Sequence, residues 1–313
     1  MLFAIDHGNS AIKTPNFTFT SGLVDYPTRP LVESDVLEYA DKFWTLSGQR
    51  ISIMRDKTKD ERFFVLTLFA IAKELERDGK LSSEVDADLV VGLPPEHYEL
   101  RHKFAKYFQR DSVHFTFNGT PVNMKINHVL VFPQAYAAVV PQAATLKETL
   151  RTFIIDIGGF TTDVLLLRKS KPDMQFCRSL EMGVISMTND LIGKISALYD
   201  IRIEEDHIAD VVLGRPTILP EEVKATILAA VEAYANGILD KLRELQVDLR
   251  ATPAMFVGGG AALFKPFITK SPLVAEAEFI LEQKANAIGY ELLGTAQLRR
   301  VTAQKAGEGF AQG

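Results

Sequence analysis

The chain has 313 residues, of which 47% are hydrophobic and 24% are charged, a balance typical of a globular protein with a buried core. Its length predicts about two domains or one large one, and its net charge of −5 argues against strong direct DNA binding, which needs a dense basic surface. The single cysteine excludes a disulfide framework, a cysteine zinc cluster and a protein-ligated iron–sulfur cluster.

The first predicted element is a short apolar strand at the N-terminus, which runs from Leu2 and ends at Asp6 and Gly8. This segment has no basic region and meets an acid at once, so it is not the pattern of a signal peptide. A membrane-spanning helix needs an apolar run of about 18 residues, and the sequence has none of that length. We therefore expect a cytoplasmic protein without membrane contact.

Alternating strands and helices are predicted after this strand. Asn118-Gly119 is typical of a hairpin turn, and Gly79 is placed where a glycine ends a helix. The predicted elements in order are a helix at 60–78, a buried strand at 89–93, a helix at 96–109 and hairpin strands at 113–117 and 122–131.

The N-terminal pattern returns halfway along the chain, where the strand beginning at Phe153 ends in Asp156 and Gly158. Asp156 follows Asp6 by 150 positions. Two copies of one fold unit, each opening with the same strand, turn and strand, are the simplest explanation. The polar stretch Ala144–Arg151 is the expected boundary between the two domains.

The second half repeats the scheme of the first. Its predicted strands are at 153–156, 162–168, 175–180 and 254–257, and its predicted helices are at about 186–198 and 220–246. Runs of strands followed by helices predict an α/β fold with a mixed sheet in each half. Residues 301–313 are small and polar, and we expect a disordered tail there.

An aspartate at the end of a buried strand, followed by glycine, is typical of a phosphate and metal site. Glycine lets backbone amides approach a phosphate closely, and a carboxylate can hold Mg²⁺ through its water shell. Lys13 could neutralise phosphate charge. The groups that could wrap phosphates are the amides of Gly8, Gly158 and Gly159 and the hydroxyls of Ser10, Thr161 and Thr162. The alternative is that each loop is only a tight hairpin turn.

Three further segments are rich in glycine and other small residues, which allow the backbone to approach a ligand or a neighbouring helix closely. Gly258, Gly259 and Gly260 follow a short strand and precede a helix, a turn on which a base or ribose could lie. Segments 132–139 and 285–292 are rich in small residues and are predicted as helices that pack closely; ordinary helix packing is the alternative. The chain has no Walker motif and no GxGxxG fingerprint after its first strand, which excludes those two nucleotide-binding designs.

The two aspartate loops and these three segments make five. Taken in chain order, they resemble the phosphate-1, connect-1, phosphate-2, adenosine and connect-2 motifs of the actin-like ATPase superfamily. The resemblance covers 2–294, and it is strongest to the bacterial plasmid-segregation actins, the ParM/StbA group. The supporting stretches are 93–98, 154–163, 182–184 and 257–261. The resemblance implies a duplicated ribonuclease H-like fold with two related domains around a nucleotide cleft. The first domain would be 1–147 with 286–300 packing back on it, and the second 148–285.

The resemblance also implies a role for each site residue, with ATP or GTP and Mg²⁺ as the cofactors. Asp6 and Asp156 would be the carboxylates associated with Mg²⁺, and Gln134 would position the attacking water. Glutamine orients a water but is a poor base, so slow hydrolysis is expected. The nucleotide-binding residues would be Gly8, Asn9, Ser10 and Lys13 in the first loop, Gly158, Gly159 and Thr161 in the second, and Gly258, Gly259 and Gly260 at the adenosine, with Gly183 nearby.

Two residues have open assignments. Lys224, on the predicted helix 220–246, could reach the adenine or ribose, or could simply face solvent. His7 is expected to be a half-exposed loop residue without a role, with phosphate contact as the alternative.

The resemblance implies a polymerising ATPase that forms head-to-tail filaments with copies of itself. Its further partner would be a small DNA-binding adaptor, similar to ParR, through which the filament moves plasmid DNA. The alternative is a small-molecule kinase of the same fold, such as a pantothenate or sugar kinase. Against it, the chain lacks the cysteine zinc cluster of sugar kinases of this size and an obvious substrate base. A chaperone or divisome protein is a third option, but the chain lacks a substrate domain and an amphipathic anchor.

Overall fold

The chain divides into two units, one formed by Met1–Pro141 with Lys284–Gly313 and the other by Gln142–Gln283. A computed structural model describes residues 1–31, 35–54, 56–81, 84–142 and 149–310. The predicted boundary segment therefore lies largely outside the described residues.

The first unit is built on a mixed sheet, in which strand β7 pairs in parallel with both β1 and β9. Among the described residues the sheet order is β3-β2-β1-β7-β9-β8-β5-β6-β4. The strands are β1 Leu2–His7, β2 Ala11–Lys13, β3 Thr18–Thr20, β4 Leu23–Tyr26, β5 Val36–Tyr39, β6 Lys42–Leu46, β7 Glu84–Leu93, β8 Val113–Phe117 and β9 Thr120–Pro133.

Helices cover this sheet as the hydrophobic spacing predicts. Helix α1 (Arg62–Arg77) buries an almost continuous apolar face, and Gly79 ends it with a φ of +64°. The predicted helix at 96–109 is a 3-10 turn, Pro95–Leu100, followed by α2 (Arg101–Phe108). Asn118 and Gly119 both have positive φ, 51° and 85°, which confirms the predicted hairpin turn.

The second unit has a smaller mixed sheet with the order β12-β11-β10-β13-β14 among the described residues. Its α helices and its sheet enclose one apolar core. The elements are β10 Arg151–Ile157, β11 Thr162–Arg168, β12 Lys171–Leu180, α4 Val184–Tyr199, α5 Glu205–Val212, α6 Glu221–Glu244, β13 Ala254–Val257, α7 Ala261–Ile268 and β14 Ala277–Phe279.

The two units open with the same local topology. In each, the strand that carries the aspartate pairs antiparallel with the next strand and parallel with a later one: β1 with β2 and β7, and β10 with β11 and β13. Asp6 lies opposite Lys13 in the first unit, and Asp156 lies opposite Asp163 in the second. The repeated sequence pattern therefore corresponds to a repeated arrangement of strands.

The chain ends in a long helix, α8 (Ala285–Phe310), which packs on the first unit. The predicted helix at 285–292 is confirmed. The predicted helix at 132–139 is wrong in its first half, because β9 continues to Pro133, Ala135 has a φ of +62°, and α3 covers only Tyr136–Val139. The disorder expected at 301–313 stays a prediction. No helix within the described ranges combines the length and apolar character that crossing a membrane requires.

The contact between α3 and α8 depends on a glycine. A Cβ atom added to Gly289 would overlap the carbonyl oxygen of Ala137. The neighbouring Tyr290 is fully buried, and its hydroxyl lies so close to Gly92 that a Cβ there would overlap it as well. Small residues thus allow the backbones and one large ring to pack closely at this junction.

We predict that Gly289→Ala lowers the free energy of unfolding by about 1 to 3 kcal/mol, because the added methyl group meets backbone that cannot move aside. The matched control is Gly193→Ala in α4, where an added Cβ meets no atom within 4 Å. The control should raise stability by about 0.5 to 1 kcal/mol, since glycine is unfavourable inside a helix. Urea denaturation of both variants measures the difference, and equal effects would contradict the close packing.

Candidate functional site: two loops that follow aspartate strands

The first loop joins β1 to β2 and is held in a tight conformation. A Cβ on Gly8 would lie 2.6 Å from the carbonyl oxygen of Ala11, so the turn requires glycine. The hydroxyl of the buried Ser21 donates to the carbonyl oxygen of Gly8 at 2.6 Å, and its amide donates to the carbonyl oxygen of Ser10 at 3.1 Å. Ser21 therefore braces the loop from the start of the neighbouring segment.

Charged and amide groups from four parts of the chain meet beside this loop. Asp6 is 4% exposed. Lys13 Nζ lies 3.5 Å from its Oδ2, and Gln134 Nε2 donates to its Oδ1 at 2.9 Å. The ammonium group of Lys57 donates to the carbonyl oxygen of His7. These described groups comprise two ammonium groups and one carboxylate, with a sum charge of plus one when both lysines are protonated.

Lys57 is a site residue that sequence reasoning missed. It lies 50 residues from His7, in a polar 3-10 turn before α1, and no motif marks it. Burial lowers the pKa of its ammonium group to about 8; Asp6 opposes this shift and Lys13 adds to it. Lys57 therefore remains mostly protonated at neutral pH, and it interacts electrostatically with both Asp6 and Lys13.

His7 is not the half-exposed residue that the sequence predicts. It is 1% exposed, and its ring packs 4.9 Å from the ring of Phe108. Its Nε2 lies 2.8 Å from the Thr67 hydroxyl, which itself donates to the carbonyl oxygen of Phe63. The hydroxyl therefore accepts from the ring Nε2–H. Burial lowers the pKa of His7 to about 3, and the Lys57 charge adds to this. The side chain is a neutral part of the core.

Gln134 is held at the site by the end of β9. Its backbone amide donates to the carbonyl oxygen of Leu93 at 2.8 Å. The next residue, Ala135, has a positive φ, and the side-chain oxygen of Asn286 accepts from its amide at 3.1 Å. Asn286 thus stabilises an unfavourable turn beside Gln134. The sequence identified the segment of Asn286 but not this contact.

The second loop joins β10 to β11 and is closed by its own backbone. The amide of Gly158 donates to the carbonyl oxygen of Thr161 at 2.8 Å. The N-terminus of α4 docks on this turn, because the amides of Val184 and Ile185 donate to the carbonyl oxygens of Gly158 (3.1 Å) and Gly159 (2.7 Å). A Cβ on Gly183 would lie 2.5 Å from the backbone of Gly159, so this docking requires glycine.

The Gly258–Gly260 turn folds onto the strand that carries Asp156. Gly258 has a φ of +88°, and a Cβ there would overlap the Asp156 carboxylate. The amide of Gly260 donates to the carbonyl oxygen of Ile157 at 2.9 Å, whereas an added Cβ on Gly259 would meet no atom within 4 Å. The second unit therefore brings the second loop, Gly183 and the three-glycine turn together around one aspartate.

Lys224 is not part of this cluster. Its ammonium group lies 2.8 Å from the Glu221 carboxylate, one turn away on α6. Tyr234 of α6 does contact the cluster, because its hydroxyl donates to the carbonyl oxygen of Gly183 at 3.1 Å. Ten residues of helix separate the two positions by about 15 Å. A role for Lys224 at the nucleotide stays a prediction.

The second unit offers oxygen ligands of the kind that Mg²⁺ prefers. Asp156 and Asp163 lie opposite each other in β10 and β11, and the Thr161 hydroxyl donates to Asp163 Oδ2 at 3.1 Å. Within the described part of the chain, no group of three or more His, Cys, Asp or Glu side chains could hold a metal ion. This donor set fits Mg²⁺, which is usually bound by one or two carboxylates together with substrate phosphates.

Sequence comparisons match each unit to actin-related families. The model of the family "Actin like proteins N terminal domain" matches residues 38–136, and that of "Archaeal actin homologue MreB-like, C-terminal" matches residues 154–270. Each unit of the chain thus matches a family model of actin-like proteins. No curated protein matches its sequence closely enough to count as a relative.

Solved structures of actin homologues share the fold of this actin-like chain over nearly its whole length. The archaeal actin homolog Ta0583 is 23% identical, with a TM-score of 0.75 over 94% of this chain and 99% of its own. Alp7A is 13% identical, with a TM-score of 0.77 over 98% and 100%. The ParM of Bacillus thuringiensis, solved with ATP, is 12% identical, with a TM-score of 0.67 over 95% and 98%. These TM-scores establish the α/β actin-like fold.

We predict that Gly258→Ala destabilises this actin-like protein by about 1 to 3 kcal/mol, because alanine is strained at positive φ and its methyl group would displace the Asp156 carboxylate. Gly259→Ala is the matched control, and its effect should stay within about 0.5 kcal/mol. Thermal and urea denaturation measure both. A Gly258→Ala variant as stable as the control would show that the turn does not fold onto Asp156.

Proposed function

We propose that this protein is a nucleotide-driven ATPase that assembles into filaments. The observation that carries the proposal is the strand–Asp–glycine loop present in both units, with lysines beside one copy and a three-glycine turn folded onto the aspartate of the other. The same fold supports it, since similar structures include Ta0583 in complex with ADP, ParM with ATP and an Alp12 filament.

The first loop would bind phosphate through charge and backbone amides. Lys13 neutralises phosphate charge, and the amides of Gly8 and Asn9, with the hydroxyl of Ser10, donate to phosphate oxygens. The side-chain oxygen of Asn9 is buried and has no hydrogen-bond partner among the described residues, so it can accept from a ligand or a bound water. Asp6, fixed by Lys13 and Gln134, would hold Mg²⁺ through the water shell of the ion.

The second unit would contribute nucleotide-binding groups of its own. The loop of Gly158, Gly159 and Thr161 is assigned to phosphates, and Asp156 to Mg²⁺. Bound Mg²⁺ would neutralise negative charge that develops on the transferred phosphoryl group. Gly259, with open space above it, would lie against the adenosine. ATP and GTP are both accommodated by this assignment.

Gln134 would orient the attacking water. Its amide is already tied to Asp6, so its position is fixed relative to the first loop. An amide has no useful basicity, and hydrolysis would then depend on positioning and charge stabilisation instead of on a strong general base. Turnover should accordingly be slow, as suits a filament whose lifetime is set by nucleotide hydrolysis.

Filament assembly would be head to tail, since heterologous contacts that do not close generate open helices. The net charge of −5 fits a protein that reaches DNA only through a basic partner. The partner we propose is a small DNA-binding adaptor similar to ParR, and the cargo is plasmid DNA.

Sedimentation and light scattering test the assembly. We expect the protein to pellet with ATP and Mg²⁺, to persist as polymer with a non-hydrolysable ATP analogue, and to disassemble as ATP is consumed. A protein that binds ATP but stays monomeric at high concentration with both nucleotides would contradict the filament and favour a kinase of the same fold.

The hydrolytic site is tested by Asp156→Ala. This change should lower the ATPase rate by at least about 100-fold, the usual loss when a group that stabilises charge in the transition state is removed. The unfolding temperature should change little. Asp111→Ala, at an exposed aspartate after α2, is the matched control and should keep the full rate. Unaltered phosphate release by the Asp156 variant would overturn the assigned site.

A further inference from the structure

Lys57 is the strongest feature of the first unit that the assigned motifs leave unexplained. Its side chain is half-buried beside the first loop, and it donates to the carbonyl oxygen of His7, between Asp6 and Gly8. An ammonium group has three donors, and among the described residues this carbonyl is the only acceptor that Lys57 bonds. Two N–H groups therefore remain for another acceptor at the loop.

The segment around Lys57 is fixed before any ligand binds. Asp56 accepts from the amide of Thr58 at 3.2 Å and from its hydroxyl at 2.5 Å, which caps the 3-10 turn. Its other oxygen lies 2.6 Å from Lys103 Nζ on α2. The Lys57 ammonium also lies 5.5 Å from the centre of the buried Phe63 ring, at cation–π distance. These contacts hold the lysine in place at low entropic cost.

An anion bound beside Lys57 would stabilise its ammonium group. Burying an ammonium group is unfavourable unless it is paired, and the nearby Asp6 carboxylate is already bonded by Lys13 and Gln134. A carbonyl oxygen satisfies one donor but supplies no negative charge. A phosphate oxygen at the loop would supply both an acceptor and the missing charge.

We propose that Lys57 is a second cationic ligand for the nucleotide phosphates, alongside Lys13. The inference rests on the proposed nucleotide-binding function and adds a residue that lies outside the phosphate loops. If Lys57 served only to hold the His7 carbonyl, its loss would weaken folding without discriminating between charged and uncharged ligands.

The test compares Lys57→Met, which keeps an unbranched side chain one atom shorter and removes the charge, with the wild-type chain. Calorimetry measures the binding of a non-hydrolysable ATP analogue with Mg²⁺, of adenosine and of inorganic triphosphate. The variant should bind the ATP analogue and triphosphate about tenfold to hundredfold more weakly, the value of a hydrogen bond to a charged group. Its affinity for adenosine should change by less than about threefold.

Two further variants separate charge from folding. Lys59→Met removes an exposed lysine from the same 3-10 turn and should leave all three affinities unchanged. Lys57→Arg keeps the positive charge and should recover most of the lost affinity. Thermal denaturation with and without the ATP analogue shows whether each variant folds, and a folded Lys57→Met chain that binds the analogue as tightly as wild type would overturn the inference.

The failures of the two proposals are distinguishable. If the wild-type chain binds triphosphate more tightly than Lys57→Met does but binds no nucleotide, the proposed function is wrong and the anion site at Lys57 is supported. If the wild-type chain and Lys57→Met bind nucleotide equally well, nucleotide binding is supported and the proposed role of Lys57 is wrong. A wild-type chain that binds neither probe contradicts both.

Discussion

A charge inside a protein must be paired, and the first unit is arranged around one such charge. Asp6 is buried at the end of β1, where an unpaired carboxylate would be strongly unfavourable. Lys13, directly opposite in β2, and Gln134, from the end of β9, each take one of its oxygens. This single carboxylate thus joins the first strand, the second strand and the junction with α3, and it orients the groups that we assign to nucleotide chemistry.

In the second unit the same strand topology is accompanied by close backbone contacts around the aspartate. The amides at the start of α4 bond the turn after Asp156, and the Gly258 turn folds onto the aspartate itself. Glycine is needed at each closest approach, because a Cβ atom would overlap backbone or carboxylate. The repeated strand–loop pattern thus has two lysines beside its loop in the first unit and a glycine turn packed onto its aspartate in the second.

Local pattern predicted much of this architecture correctly. The spacing of apolar residues located α1, the Asn118-Gly119 pair located the hairpin, and the paired aspartates located both loops, because these signals act over a few neighbouring residues. The same reasoning failed at the segment before α3. Its small residues favour a helix, but pairing of β9 with β7 continues through Pro133, and the Asn286 side chain stabilises a positive φ at Ala135.

The sequence by itself determined the α/β class, the duplication and the position of the two aspartate loops, since each depends on short-range periodicity and on residue types that only certain turns tolerate. Only the tertiary structure decided that His7 is a neutral core residue and that Lys57 joins the first loop. Both outcomes depend on contacts between residues that are 50 or 60 positions apart along the chain, and these contacts are fixed by how α1 and the preceding turn pack on the sheet. No local pattern carries that information.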